Sequence, residues 1–202
     1  MEKNTPTRLW WYGQLTGVLL AGTLLCYALI FLIGGLTEDS TRLAIRWSAR
    51  FAVVFFCAAF GASAIRRFFK NNFTFWLRMN RKYLGITFAI THLCHLGFLV
   101  LLQKQFHPVF TLAKTTSLLA GGTAYFFVVA MLLTSFDTFS KQLTPRQWKV
   151  LHTVGGWWIW AIFFNSNLKN VLKYPGYLPL FLLLVGVGVL KVLLYFRKSR
   201  IG

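Results

Sequence analysis

Crossing the hydrocarbon core of a bilayer takes about 20 residues of helix, and the apolar residues of this chain fall into blocks of that length. The blocks run over 14–36, 47–65, 84–102, 115–134, 148–166 and 177–196, with short stretches rich in lysine and arginine between them. A water-soluble domain has no core large enough to hide them, since 56% of the 202 residues are apolar and 13% charged. The expected fold is all-α: a polytopic membrane protein built as a six-transmembrane-helix bundle, forming a single domain over 1–202. The first block is too long for the apolar region of a signal peptide, and no A-x-A-like cleavage site ends it. Neither an internal repeat nor a low-complexity segment is evident, and the loops are too short for a second domain.

Charge sets the orientation. Twenty-two Lys and Arg face only four acidic residues (Glu2, Glu38, Asp39, Asp137), a formal net charge of +18. Nucleic acid is excluded as a partner, because its recognition needs a soluble scaffold to display the basic surface. Here the basic residues flank apolar blocks, as in cytoplasmic loops. Those at the N-terminus, in the second and fourth connections and in the C-terminal tail far outnumber Arg42, Arg46, Lys104, Lys114, Lys169 and Lys173 on the other side. Both termini are expected in the cytoplasm, and the protein in the bacterial inner membrane. Trp10, Trp11, Trp76 and Trp148 fall at expected helix ends, where indole rings favour the headgroup zone. Cys26, Cys57 and Cys94 lie singly inside apolar blocks, with neither a disulfide nor a zinc spacing. Lys191 is near enough to the end of the last block to snorkel.

Polar groups inside a membrane are costly and mark function by default. The candidates are Arg50, His92, His95, His152 and Asn165. No block contains a carboxylate, which argues against a proton pump built on acidic relays and against an acidic channel ring. No hydrolase triad, zinc-protease motif or phosphate-binding glycine loop is present. Without a dinucleotide fingerprint the chain cannot take electrons from a nicotinamide by itself. Histidine on two helices remains. Neutral imidazole is an axial ligand for haem iron, and bundles build cofactor sites from facing side chains.

His92 and His95 share one face of the third helix. Gly155 and Gly156 follow His152 one turn on, where they either admit a flat macrocycle or let two helices pack closely. Counted at about 1.5 Å per residue from Arg146 on the fifth helix and Lys82 on the third, His152 and His92 differ in depth by about 6 Å, His152 and His95 by about 11 Å. Depth therefore favours His92 as the partner of His152.

Three stretches carry a family resemblance: Arg81-Lys82-Tyr83-Leu84-Gly85 with His95 ten residues after the glycine, Thr134-Ser135 followed by Trp148-Lys149-Val150-Leu151-His152, and Arg50 within Ser48-Ala49-Arg50-Phe51. Together with the six-block layout, these make the chain resemble the ferric reductase-like transmembrane domain family over roughly residues 14 to 196. Within that family it is most similar to the MsrQ branch of haem-binding membrane subunits. The resemblance implies b-type haem and electron transfer across the membrane, with ligand positions at Arg81, His95, His152 and Asn165. Arginine at 81 suits that branch, whereas Asn165 stands where it has a histidine. One ligand of each pair is thus kept, and one haem is expected. Its metal ligands are His152 and either His92 or His95, the motif favouring His95 and depth His92. Arg50 either pairs with a haem propionate or snorkels to headgroups.

The function expected on these grounds is a haem b-binding subunit. It passes electrons from a cytoplasmic flavin, flavoprotein or quinol to a periplasmic redox enzyme or other acceptor. The cytoplasmic cluster Arg66, Arg67, Lys70, Arg78, Arg81 and Lys82 is a topology signal and a lipid contact; a flavin or an acidic flavoprotein is compatible with it, but no motif supports a flavin. The alternative is a haem-free six-helix membrane protein acting as an assembly or partner-binding subunit.

Overall fold

The computed structural model describes residues 12–107 and 112–199, with side chains over 13–107 and 121–197. Among these the regular structure is entirely helical. The elements are α1 (Tyr12–Gly34), α2 (Glu38–Phe68), α3 (Asn72–Met79), α4 (Arg81–Phe106), α5 (Leu112–Leu133), α6 (Asp137–Ser140), α7 (Pro145–Val171) and, after a 3₁₀ turn, α8 (Leu178–Ser199). Four stretches are long and apolar enough to cross a membrane: Gly13–Gly34, Glu38–Phe68, Arg81–Phe106 and Pro175–Arg197. Their outward faces carry Leu32 and Ile33, more than 80% exposed, with Leu25, Leu182 and Val189 also bare. An apolar exterior of this extent belongs in lipid, and the molecule is a membrane protein. The expected fifth and fourth blocks are helical as α7 and α5. However, α7 carries Arg146, Lys149, Asn165, Asn167 and Lys169 near its ends, and the apolar stretch described in α5, Gly121–Leu133, is short.

Local chemistry sets the boundaries. Thr37 caps α2, its side chain accepting from the Ser40 N–H at 3.2 Å, and Glu38 and Asp39 occupy the first turn, where the positive end of the helix dipole favours them. Thirty-one residues make α2 about 46 Å long, so its first turns project beyond any hydrocarbon core and carry the Glu38–Arg42 ion pair. Asn71 and Thr74 form a reciprocal capping box that starts α3. A second box, Thr144 with Gln147, starts α7 with Pro145 in its first turn.

α2 is the central helix and packs against α1, α3, α4 and α8, while α7 packs on α5 and α8. Phe56 and Phe60 of α2, Phe88 of α4, Val128 of α5, Ile159 and Phe163 of α7 and Leu184 of α8 meet in one core. Phe56 stacks on Phe60 at 5.1 Å and meets Phe88 and Phe163 edge-on at 5.3 and 5.4 Å. α1 lies at the periphery, with Leu15, Thr23 and Tyr27 its buried side chains. Cys57 is buried in the core and all three cysteines are free. Trp10 and Trp11 lie outside the described residues.

Candidate functional site

The capping box fixes the first turn of α7, and His152 follows two turns later on the face toward α5. Its Nε2 lies 3.1 Å from Thr134 Oγ1, and that hydroxyl lies 2.7 Å from the Ala130 carbonyl. A carbonyl only accepts, so the single hydroxyl proton goes to Ala130 and the imidazole donates to Thr134. The free lone pair of His152 is then on Nδ1. Trp148, one turn earlier, stacks on the imidazole at 4.1 Å and donates its own N–H to the Thr134 carbonyl.

His152 opens onto a cavity of about 630 Å³ between α2, α4, α5 and α7, within the usual size range of ligand pockets. Its deep walls are apolar: Phe56, Ala59 and Phe60 of α2, Phe88 and Ala89 of α4, and Val128, Met131 and Leu132 of α5. Polar groups gather at the other end, where Arg81 and Lys82 of α4 face Thr134, Ser135 and Asp137. Lys82 lies 3.7 Å from Asp137, whereas the hydrogen bond from Arg81 is a long one, 3.4 Å to Ser63 Oγ. Lys191 does not snorkel outward: its ammonium lies 4.4 Å from the centre of the Phe60 ring, which forms part of the cavity wall.

The other candidates lie elsewhere. His92 is buried, stacked on Tyr125 at 4.6 Å and on His95 at 5.5 Å, with Phe163 edge-on at 5.2 Å. Its Nδ1 has no hydrogen-bond partner. His95 Nδ1 lies 3.1 Å from the Ile45 carbonyl and 3.0 Å from Ser48 Oγ. Because the carbonyl must accept, Nδ1 carries the proton and Nε2 the lone pair. A backbone-anchored imidazole of this kind is how proteins commonly orient a metal ligand, and equally how they tie two helices together. Arg50 is outside the cavity, its guanidinium between the rings of Trp47 (5.1 Å) and Tyr177 (5.0 Å). Asn165 is exposed, while buried Asn167 donates to the Phe163 carbonyl.

The register of α4 against α7 corrects the depth comparison. The His92 ring meets Phe163, eleven residues beyond His152 and about 16 Å further along the helix. Arg81, eleven residues before His92, is the α4 residue at the level of His152, and both line the cavity. The estimate failed because it set Arg146 level with Lys82, whereas Lys82 reaches Asp137 and α7 starts lower. Two imidazoles on one metal ion sit about 2 Å from it each, so neither His92 nor His95 pairs with His152. Among the described residues no three His, Cys, Asp or Glu side chains converge as a metal site.

The glycines at 155 and 156 are packing residues. A Cβ on Gly155 would lie 2.7 Å from Met131 Sδ, and one on Gly156 3.0 Å from Phe60. By charge alone the sequence assigns the basic cluster around Arg81 to topology and lipid contact, and only the family resemblance singles Arg81 out; neither shows Lys82 reaching the cavity beside it. The signal was available in the equal spacing of Arg81 to His92 and His152 to Phe163, but using it requires the helix register. Compared with models of known families, with curated proteins and with solved structures, the chain matches none.

Proposed function

We propose that the chain is a haem b-binding electron-transfer subunit of the bacterial inner membrane, crossing it six times with both termini in the cytoplasm. The observation that supports this reading best is the cavity at His152, which joins an imidazole, apolar aromatic walls and two cations at one end. That donor set suits a flat amphiphilic group with a metal at its centre and carboxylates at its rim. It supplies one axial imidazole, so the expected pairing of two histidines across a single haem is replaced by ligation through His152 alone from this chain.

Haem supplies a one-electron couple when bound; the residues of this chain do the rest. His152 would hold the iron, through Nε2 once the bond to Thr134 is released and the ring proton has moved to Nδ1. Arg81 would pair with a propionate through charge-assisted hydrogen bonds, and Lys82 with the other in exchange for Asp137. Phe56, Phe60 and Phe88 keep water from the ring and so tune the potential. Electrons enter from a cytoplasmic flavoprotein or quinol, drawn in part by the basic surface, and leave to a periplasmic acceptor.

A second reading, a haem-free bundle serving as an assembly or partner-binding subunit, is favoured by the hydrogen bond and stacking that already engage His152. On that reading His152 is a bridge between α5 and α7. Absorption spectra of the purified protein, oxidised and dithionite-reduced, separate the two. The haem reading expects a reduced b-type α-band, about one haem per chain by pyridine haemochrome, and its loss in His152→Ala. A spectrum without haem after haem-supplemented expression, or one unchanged in His152→Ala, sinks it.

A further inference from the structure

At the basic end of the bundle, α2, α3 and α8 enclose a second pocket of about 310 Å³, lined by Ser63, Arg66, Arg67, Lys70, Arg78 and Leu194. Four cations face it and no acidic side chain does. Arg66 is occupied by the fold, donating to the Asn71 carbonyl at 3.1 Å and to Thr74 Oγ1 at 3.4 Å. Among the described residues, Arg67, Lys70 and Arg78 are exposed and take part in no hydrogen bond or ion pair. No described carboxylate is free to serve them: Asp137 is engaged by Lys82, and Glu38 and Asp39 sit at the opposite end of α2. The cluster is built rather than scattered, because the Asn71–Thr74 box turns the chain sharply after α2 and brings Arg78 back beside Arg67 and Lys70.

The flanks of this pocket are apolar. Phe69, Phe73 and Met79 are bare on the α3 side, and Leu193, Tyr195 and Phe196 on α8. Unpaired cations at the end of α2, in the turn after it and on the short helix α3, with exposed aromatic side chains among them and a lipid-facing helix beside them, match the depth profile of a phospholipid, whose phosphate sits just outside its chains.

We propose that this pocket binds the headgroup of an anionic phospholipid bearing two phosphates, with its acyl chains along the apolar face of α8. Three unengaged cations and a fourth already fixed call for more negative charge than one phosphate brings. The chemistry recognised is the phosphate oxygen, which a soluble phosphate also offers; the exposed apolar flanks favour the lipid as its source. This inference is independent of the haem reading and is tested without any spectrum of a cofactor.

Native mass spectrometry of the delipidated protein, titrated in detergent with cardiolipin, phosphatidylglycerol, phosphatidylcholine or inorganic pyrophosphate, reads it directly. The expected order is cardiolipin first and phosphatidylcholine last, with pyrophosphate failing to displace bound cardiolipin. The combined variant Arg67→Gln, Lys70→Gln, Arg78→Gln should lose about tenfold or more in cardiolipin occupancy. All three positions are exposed, so the fold should survive, as the melting temperature without lipid will verify. The control Arg46→Gln, Lys104→Gln, Lys173→Gln removes three exposed cations elsewhere and should retain cardiolipin. Equal loss in both variants would reduce the effect to bulk charge and overturn a built site. Displacement by pyrophosphate would transfer the pocket to a soluble phosphate, and equal affinity for phosphatidylglycerol would remove the two-phosphate requirement.

Discussion

Each intramembrane histidine is engaged differently, and substitutions should separate them. His92 contributes rings and no hydrogen bond at Nδ1, leaving a buried polar atom without a partner. Such an atom carries a desolvation cost of about 1–3 kcal/mol, so His92→Leu should keep the fold, with a melting temperature no lower than the parent. It should also leave the haem content unchanged; a loss of haem would restore His92 as a ligand. His95 is the reverse case. Its Nδ1–H ties α4 to the Ile45 carbonyl of α2; Ser48 Oγ also donates to that carbonyl, so His95→Ala loses one interhelical bond and should cost about 0.5–1.5 kcal/mol, read as thermal unfolding in detergent. The glycines divide similarly. Gly155→Ala forces Met131 and Phe127 aside and should cost about 1–3 kcal/mol, while Gly121→Ala, with nothing within 4 Å of the added methyl, should be near neutral.

Between the residue and the bundle, the caps decide what the sequence makes legible. The apolar blocks locate α1, α4 and α8 within a few residues because their ends coincide with loss of hydropathy. They do not locate the start of α2, since its first nine residues, Glu38 to Arg46, are polar enough to read as loop. That helix starts where Thr37 caps it and two acids meet the dipole. α3 is missed altogether because eight residues are too few for a periodic signal, and its existence depends on the Asn71–Thr74 box. The site was half legible for the same reason. His152 stands out in sequence as a polar residue in an apolar block, whereas Arg81 stands out only through the family resemblance and by charge alone looks like a flanking residue until the register sets it opposite. α3 therefore gives the cleanest test of capping. Asn71→Ala removes the acceptor of the Thr74 N–H at 2.8 Å, and hydrogen exchange over 72–79 should accelerate by a factor corresponding to about 1 kcal/mol. Exchange in α4 should not change.

Across the whole molecule, charge and packing agree about which end is which. The cavity mouth, the Lys82–Asp137 pair and the second basic pocket all lie at the ends of α2, α4 and α7 that carry the densest lysine and arginine. Arg50 is held by Trp47 and Tyr177 in the other half, as aromatic residues at a membrane boundary would hold it. The positive-inside rule puts the dense end in the cytoplasm on the reading proposed above. Six crossings then return the C-terminus to the side of the N-terminus, whereas crossing only by the four longest apolar helices would require α5 and α7 to lie outside the hydrocarbon. Their packing argues otherwise, for Val128 and Ile159 are as buried as Cys57 in the core of α2. Reporter fusions decide it. Alkaline phosphatase fused after Gly35, Gln105 or Lys173 should be active on either count, so the deciding position is Lys141, between α5 and α7: a green fluorescent protein fused there should fluoresce and a phosphatase should be inactive. Active phosphatase after Lys141 would mean that α5 and α7 do not cross, and would leave the cavity at His152 without the membrane it is proposed to bridge.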